Sequence, residues 1–267
     1  DQIDVLLLSA MMKNTDELAE WVAELTGRPC LSLSLAWKPT RQIRGCVVYD
    51  EGDLSNLKAR VRWLKEGAAT RGVPVRVKRA VGAKSLGFFS LHQTWATRNA
   101  DDYSLQPLLE EDVLLGVNDS WRLTPNSGEI SAAIGSKSAQ MGVKTLIFFQ
   151  TIKNANSAAN KVNDRLAKTK IELNPNEASL HRAAVQEFGD SDCLYLASKD
   201  GIVETRASIH HGLLLPEERR LVESLYKRPN GLSVLCATST LAQGMNLPSE
   251  MVIIAEDSRF DETLKKR

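Results

Sequence analysis

This sequence has no closely spaced cysteine pair, no long apolar run and almost no net charge. Its 267 residues include four cysteines, none of them in a C-x-x-C pair, so neither a zinc site nor a disulfide framework is predicted. No apolar run is long enough to cross a bilayer, and the amino terminus lacks the layout of a signal peptide. The formal net charge is +1, so no global field selects the partners. Together these absences favour a cytoplasmic protein with no metal site and no membrane partner.

Charge is nevertheless concentrated in two segments. Residues 58–84 contain nine lysines and arginines against one acid, Glu66, whereas residues 101–112 contain five acids and no base. One interpretation is that the basic segment lines a nucleic-acid channel, with Trp63 and Trp95 as platforms on which bases stack. The alternative is a solvated helix face with buried tryptophans, and for Trp63 burial is the favoured interpretation.

Apolar periodicity predicts an irregular first half of the chain. Two amphipathic helices are predicted, over residues 15–26 and 53–69, and the second has one apolar face. The side chains of that face are Leu54, Leu57, Val61 and Leu64. Short strands are predicted over residues 5–8, 31–35, 46–49, 73–81 and 86–95.

The second half shows a regular alternation of helices and strands. The predicted strands cover residues 144–150, 205–212, 232–238 and 251–256. The predicted helices cover residues 127–140, 156–168, 176–188 and 216–227. Strands that alternate with helices in this way imply an α/β fold with a mostly parallel sheet.

Polar residues stand where three of these strands end. They are Phe149-Gln150-Thr151, His210-His211-Gly212 and Thr238-Ser239-Thr240. Ligands of parallel sheets bind at the carboxyl ends of the strands, and hydroxyls at helix starts suit the phosphates of a nucleic-acid backbone. The alternative is that one hydroxyl caps each helix and the others are incidental. Spacing alone leaves the two interpretations equally supported.

Four longer stretches resemble motifs of superfamily 2 DExH-box helicases of the Ski-type group. "LLLSAMMKNTDELAEWV" is similar to motif III, and "KTLIFFQTIKNAN" is similar to motif IV. "LCATSTLAQGMNLPSEMVII" is similar to motif V, and "IHHGLLLPEERRLVESLYKRPNGLSVLC" precedes it as in the family's second RecA-like domain. The motifs occur in the family order and cover about half of the chain.

The resemblance implies a division of the chain into three parts. Residues 1–45 would be the end of a first RecA-like domain with a connector, and residues 127–267 would be most of a second RecA-like domain. Residues 46–126 would be a connector or an inserted element. Within the connector, Trp37 with its neighbours Lys38, Arg41 and Arg44 is the better candidate for a backbone contact.

The resemblance also implies roles for individual residues. The motif III residues that couple nucleotide state to strand separation would be Ser9, Ala10 and Met11. The residues that contact nucleic acid would be Gln150, Thr151, Thr238 and Thr240. The residues at the ATP cleft would be Gln243, Gly244 and Asn246. The pair His210 and His211 would be mainly structural.

Other parts that such an enzyme needs are missing from the sequence. No G-x-x-x-x-G-K-[ST] loop is present, and the acidic pair and the arginine-rich motif VI are expected outside the chain. We therefore expect a fragment that is inactive alone. Its parent would use ATP and Mg2+, and would act on single-stranded or duplex DNA or RNA. The fragment would work with an N-terminal RecA-like domain in cis.

Two other functions compete with a helicase fragment. One is a non-enzymatic nucleic-acid-binding or scaffolding module with a degenerate RecA-like fold. The other is a small-molecule enzyme of the doubly wound type, which is disfavoured because no nucleophile-base pair and no glycine-rich cofactor loop stands out.

Overall fold

The protein is described from a computed structural model, which covers residues 14–33, 43–67, 72–91, 103–242 and 247–256. Contacts divide the chain into two compact units, residues 1–44 with 91–102 and residues 45–90 with 103–267. Within the described part of the first unit, α1 spans Thr15–Thr26, as predicted. It ends at Gly27, whose positive φ of 63° is a conformation that glycine adopts without strain.

A four-stranded parallel sheet is the centre of the second unit. Its strands lie in the order β11-β12-β8-β13, so that two neighbours in space are far apart in sequence. Their bounds are Thr145–Phe149 for β8, Ala207–His210 for β11, Val234–Thr238 for β12 and Met251–Ile254 for β13. The predicted α/β fold with a parallel sheet flanked by helices is confirmed.

Both faces of the sheet are covered at β11, β12 and β8, which explains their continuous apolar runs, whereas Val252 and Ile254 of the edge strand β13 are exposed. All five residues of β12 are buried, and they alternate between two core clusters. Val234 and Cys236 pack into one cluster, whereas Leu235 and Ala237 pack into the other. Strands that are buried on both faces consist mainly of apolar residues, and β12 is apolar at its first four positions, before Thr238 at its end.

Four helices flank the sheet. They are α4 (Ser127–Gln140), α5 (Ile152–Arg165), α6 (Pro175–Phe188) and α7 (Pro216–Lys227). Helices α4, α5 and α7 pack on the strands, and α6 packs mainly on α7. Helix α4 can approach closely because Gly135 faces β8, where an added Cβ would lie 3.0 Å from Cδ1 of Ile147. The predicted bounds of α4 and α7 are confirmed, and α5 begins four residues earlier than predicted, directly after Thr151.

Residues 45–67, 72–91 and 103–124 form a second region, called here the basic module. Its elements are α2 (Glu51–Glu66), α3 (Val75–Lys78) and strands β1 (Arg44–Val48), β2 (Gly82–Lys84), β3 (Gly87–Leu91), β4 (Tyr103–Gln106), β5 (Asp112–Leu114), β6 (Gly116–Val117) and β7 (Leu123–Thr124). They pair as β1-β3-β4, β2-β5 and β6-β7. Elsewhere, β9 (Lys170–Glu172) pairs with β10 (Ile202–Glu204).

Two of the predicted strands are not observed. Within residues 73–81, Val75–Lys78 form the short helix α3, which follows Pro74 as its N-cap residue. Leu31 and Leu33 belong to no strand and are 86% and 74% exposed, while residues 34–35 lie outside the described part.

Among the described helices, none has the length and apolar content that a membrane crossing needs.

Candidate functional site

The carboxyl ends of the four parallel strands meet at one edge of the sheet, called here the carboxyl edge. Register aligns Thr238 at the end of β12 with Phe149 at the end of β8, and His210 of β11 with Ala237. On the other side of β8, Ile254 of β13 aligns with Phe148. The residues that follow these strands, among them Gln150, Thr151 and His211, are therefore neighbours although they lie far apart in sequence.

Glu256 holds the end of β13 to the segment after β8. Its Oε2 accepts the backbone N–H of Gln150 at 2.9 Å, and its Oε1 accepts Nδ2 of Asn154 at 2.6 Å. The side-chain amide of Gln150 in turn donates to the carbonyl of Glu256 at 3.2 Å. This amide nitrogen is thus engaged within the protein, and a contact of Gln150 with nucleic acid stays a prediction.

Thr151 begins helix α5. Its extended backbone lets the side-chain oxygen accept the N–H of Asn154 at 3.2 Å, which satisfies one of the free donors of the first helical turn. The side chain is exposed, and the remaining N–H groups of that turn carry the partial positive charge of the helix dipole. This end of α5 is chemically suited to an anion such as a phosphate.

A small polar pocket of about 180 Å³ lies between the starts of α4 and α5. Its lining residues are Pro125, Asn126, Ser127, Gly128, Asn154, Ser157, Lys161 and Glu256. Lys161 pairs with Glu129 at 2.8 Å, so its charge is already partly balanced. Because the pocket shares Asn154 and Glu256 with the carboxyl edge, it extends the polar surface beyond the strand ends.

The end of β12 carries the hydroxyls of motif V. Thr238 is 8% exposed, whereas the next residue, Ser239, is exposed and opens a 3₁₀ helix, Ser239–Ala242. Leu241 in that helix packs into the core at 3% exposure. The segment therefore alternates between core and surface. The side chain of Thr240 lies outside the described part, as do Gln243, Gly244 and Asn246.

The two histidines after β11 are buried. His210 is joined to Glu223 by a hydrogen bond of 3.0 Å between Nε2 and Oε1. Nδ1 of His211 accepts the N–H of Leu213 at 3.2 Å, and the His211 ring meets the Tyr195 ring edge-on, with centroids 5.4 Å apart. Burial lowers the pKa of both histidines, and the neighbouring Arg219 acts in the same direction, whereas Glu223 raises the pKa of His210. The net lowering of both pKa values favours neutral rings at pH 7.

A buried carboxylate holds the segment whose ring packs against His211. Oε1 of Glu218, which is 1% exposed, accepts the N–H of Tyr195 at 2.7 Å and so fixes the ring that packs against His211. Burial raises the pKa of Glu218, and its backbone hydrogen bonds act in the opposite direction. These contacts agree with a structural role for the histidines. Within the described ranges, no three metal-ligating side chains cluster.

The structure thus brings together some predicted residues and adds others. Gln150, Thr151 and Thr238 share the carboxyl edge, and the motif III residues Ser9, Ala10 and Met11 lie outside the described part. Sequence reasoning missed Glu256 and Asn154, which hold the edge together. The available signal for Glu256 was an acid placed directly after a buried strand, the position where the other edge residues were found.

Comparisons with known proteins agree with these motifs, although no family model matches the chain. It is 34% identical over 146 residues to the ATP-dependent DNA helicase Hel308 of Methanocella arvoryzae, covering 52% of this chain and 19% of the relative. It is 28% identical over 169 residues to the RQC trigger complex helicase SLH1 of Saccharomyces cerevisiae, covering 60% of this chain and 8% of the relative. It is 35% identical over 72 residues to the antiviral helicase SKI2 of the same yeast, covering 27% and 6%.

The chain spans about a fifth of the Hel308 relative and less of the other two. Each similarity is therefore one of part to part. Over the portion that aligns, this chain is homologous to superfamily 2 DExH-box helicases of the Ski-type group.

Proposed function

We propose that this chain is a fragment of an ATP-dependent nucleic-acid helicase or translocase, and that residues 127–267 form most of its second RecA-like domain. The observation that carries the proposal is the carboxyl edge. There the segments after β8 and β12, which resemble motifs IV and V, lie side by side although 89 residues separate Phe149 from Thr238. The names of the related proteins support the same activity.

The carboxyl edge would contact the sugar-phosphate backbone. The N-terminus of α5 and the hydroxyl of Thr151 offer hydrogen-bond donors to a phosphate, and Ser239 adds an exposed hydroxyl after the neighbouring strand. Thr238 and Thr240 would complete the contact, with Gln150 positioned beside them. Contacts to backbone groups fix the position of a strand without reading its sequence.

The nucleotide would bind where this domain faces an N-terminal RecA-like domain of the same protein. Gln243, Gly244 and Asn246 would lie at that cleft, and Ser9, Ala10 and Met11 would link the nucleotide state to the strand. ATP with Mg2+ would supply the free energy for closing and reopening the two domains. The fragment alone would not hydrolyse ATP, since its sequence lacks the phosphate-cradling loop.

The double substitution Thr240→Ala with Gln243→Ala in the full-length protein tests the proposal. We expect a lower ATPase rate in the presence of nucleic acid, because both side chains belong to the coupling between strand and nucleotide. The matched control is Thr26→Ala with Gln186→Ala, which removes the same two side-chain types at exposed positions. Circular dichroism checks that both variants stay folded.

Two results would overturn the proposal. Unchanged stimulation of the ATPase in the motif V variant would remove the role assigned to that segment. A full-length protein that binds nucleic acid but hydrolyses no ATP would favour the non-enzymatic scaffolding module instead.

A further inference from the structure

Helix α2 of the basic module carries a row of cations along one side. Lys58, Arg62 and Lys65 are spaced by four and three residues, which places them on a single ridge of the helix. All three side chains are exposed. Like charges at this spacing destabilise a helix by a few tenths of a kcal/mol per pair, so folding alone does not favour the arrangement.

The module's own acids do not neutralise these charges. No ion pair between described residues involves any of the nine cations of residues 45–67, 72–91 and 103–124. They are Lys58, Arg60, Arg62, Lys65, Arg76, Lys78, Arg79, Lys84 and Arg122. Glu66 follows Arg62 by four residues and still forms no ion pair with it. The row of Lys58, Arg62 and Lys65 therefore presents its positive charge to the solvent.

Trp63 lies on the solvent side of α2, about 100° around the helix axis from Arg62 and one turn after Arg60. It is 70% exposed, so the interpretation of Trp63 as a buried core residue is wrong. The core of the module is built from the opposite side of α2, where Val61 is 1% exposed. The large flat ring is thus left in solvent, with the cation row on the adjacent side of the helix, and exposed aromatic rings near cations are typical of surfaces that bind single-stranded nucleic acid.

A lipid surface fits these observations poorly. Helices that lie in a membrane interface use a broad apolar face, and the apolar face of α2 is already used. Leu54, Leu57 and Leu64 pack with Val61 against the rest of the module, including Val77 of α3. On α2 itself, Trp63 is the one exposed large apolar side chain that a membrane could bury.

We propose that the outward face of α2 is a second binding surface for a single strand of DNA or RNA. The phosphates lie along Lys58, Arg62 and Lys65, and a base stacks on Trp63. Helix α3 and strand β2 pack on the same core cluster as α2, and their exposed cations extend the positive surface. The inference rests on the proposed function only for the class of ligand, because none of its residues belongs to the carboxyl edge.

Charge neutralisation gives the first test. Lys58→Gln, Arg62→Gln and Lys65→Gln are combined in this chain, and binding to a fluorescent 20-nucleotide single strand, as DNA and as RNA, is measured by anisotropy between 50 and 200 mM salt. We expect about a tenfold loss of affinity and a salt slope shallower by about 2, as three lost phosphate contacts predict. The matched control neutralises Lys137, Lys199 and Lys227, which are exposed elsewhere.

Aromatic substitution gives the second test. Trp63→Leu keeps an apolar side chain but removes the stacking face, and we expect it to weaken binding about tenfold. Trp63→Phe keeps a stacking face and should retain most of the affinity. Equal losses in the two variants would overturn the role of stacking at this position.

The inference fails if the unaltered chain shows no binding at 50 mM salt, or if the control triple loses as much affinity as the α2 triple. It also fails if the α2 triple substitution weakens binding to phosphatidylserine vesicles but leaves binding to the single strand unchanged. These outcomes are separate from those of the proposed function. The ATPase of the motif V variant decides the proposed function, whereas loss of strand binding by the α2 triple in the isolated chain decides the second surface.

Discussion

The parallel sheet and the basic module solve the same problem, burial of apolar surface, in different ways. In the sheet, β12 is buried at all five positions and helices cover both faces. In the module, strands of two to five residues pair in three small sheets around a cluster that includes Val61, Val81 and Trp121. The sheet keeps its polar groups at one edge, whereas the module carries them over its surface.

This difference has a physical consequence for function. Where strands are covered on both faces, as β8, β11 and β12 are, solvent reaches only their ends, and a ligand there meets the residues that follow the strands. The module has one core cluster of its own and shares a second with α4, and the outer surface of its helix α2 stays exposed, where charge and an aromatic ring are available for binding. The two regions are thus expected to contact nucleic acid through hydrogen-bond geometry in one case and through charge density in the other.

Truncation of core side chains should show the largest contrast between the regions. Ile147→Ala in β8 removes a fully buried side chain and should lower the free energy of unfolding by about 2–5 kcal/mol. Leu54→Ala in α2 removes a half-buried one, and about 1–2 kcal/mol is expected. Urea denaturation measures both. Equal losses would show that the module is packed as tightly as the sheet.

Substitution of a carboxylate by its amide should lower the stability more at the carboxyl edge than at the start of α2. Glu256→Gln leaves one acceptor oxygen where two donors, from Gln150 and Asn154, now bind, and should cost about 1–3 kcal/mol. Asp50→Asn at the start of α2 exchanges two good capping residues and should change stability by less than about 0.5 kcal/mol.

Thermal unfolding of the two amide variants is the measurement, with the exposed Glu187→Gln as the control. A Glu256→Gln protein as stable as this control would show that the carboxyl edge does not depend on the carboxylate.

Acidification should have the smallest effect, and it should come from the sheet region. Burial lowers the pKa of His181, His210 and His211, and the described module contains no histidine. Below about pH 6.5 these histidines bind more protons in the unfolded chain than in the folded chain, so the free energy of unfolding should fall as the pH falls. The raised pKa of Glu218 acts in the opposite sense at lower pH.

Urea titrations at pH 7.5, 6.5 and 6.0 measure this dependence. His211→Gln removes one of the groups and should make it weaker. A free energy of unfolding that rises between pH 7.5 and 6.0 would contradict the assignment of neutral, buried histidines.

The sequence predicted most where its patterns were local and periodic. Helices α4 and α7 span the residues predicted for them, 127–140 and 216–227. The strand predicted over residues 73–81 failed because alternating valines and cations fit a strand and a short helical turn equally well. For Trp63, helical spacing did place the residue opposite the apolar face, but the general tendency of tryptophan to be buried prevailed in the interpretation.

The carboxyl edge shows the same limit. Hydroxyls after strands indicated Thr151 and Thr238, since a strand end is visible in one segment of sequence. Glu256 could not be assigned to Gln150 and Asn154 in this way, because their hydrogen bonds join residues more than 100 positions apart.

By itself, the sequence determined the alternation of helices and strands, the parallel fold class, the homology to Ski-type helicases and the basic charge of residues 58–84. The tertiary structure decided that β12 lies between β8 and β11, that Glu256 holds the carboxyl edge together and that Trp63 faces solvent. The physical reason is that periodicity and charge belong to neighbouring residues, whereas strand order, hydrogen bonds and exposure depend on which distant segments pack together.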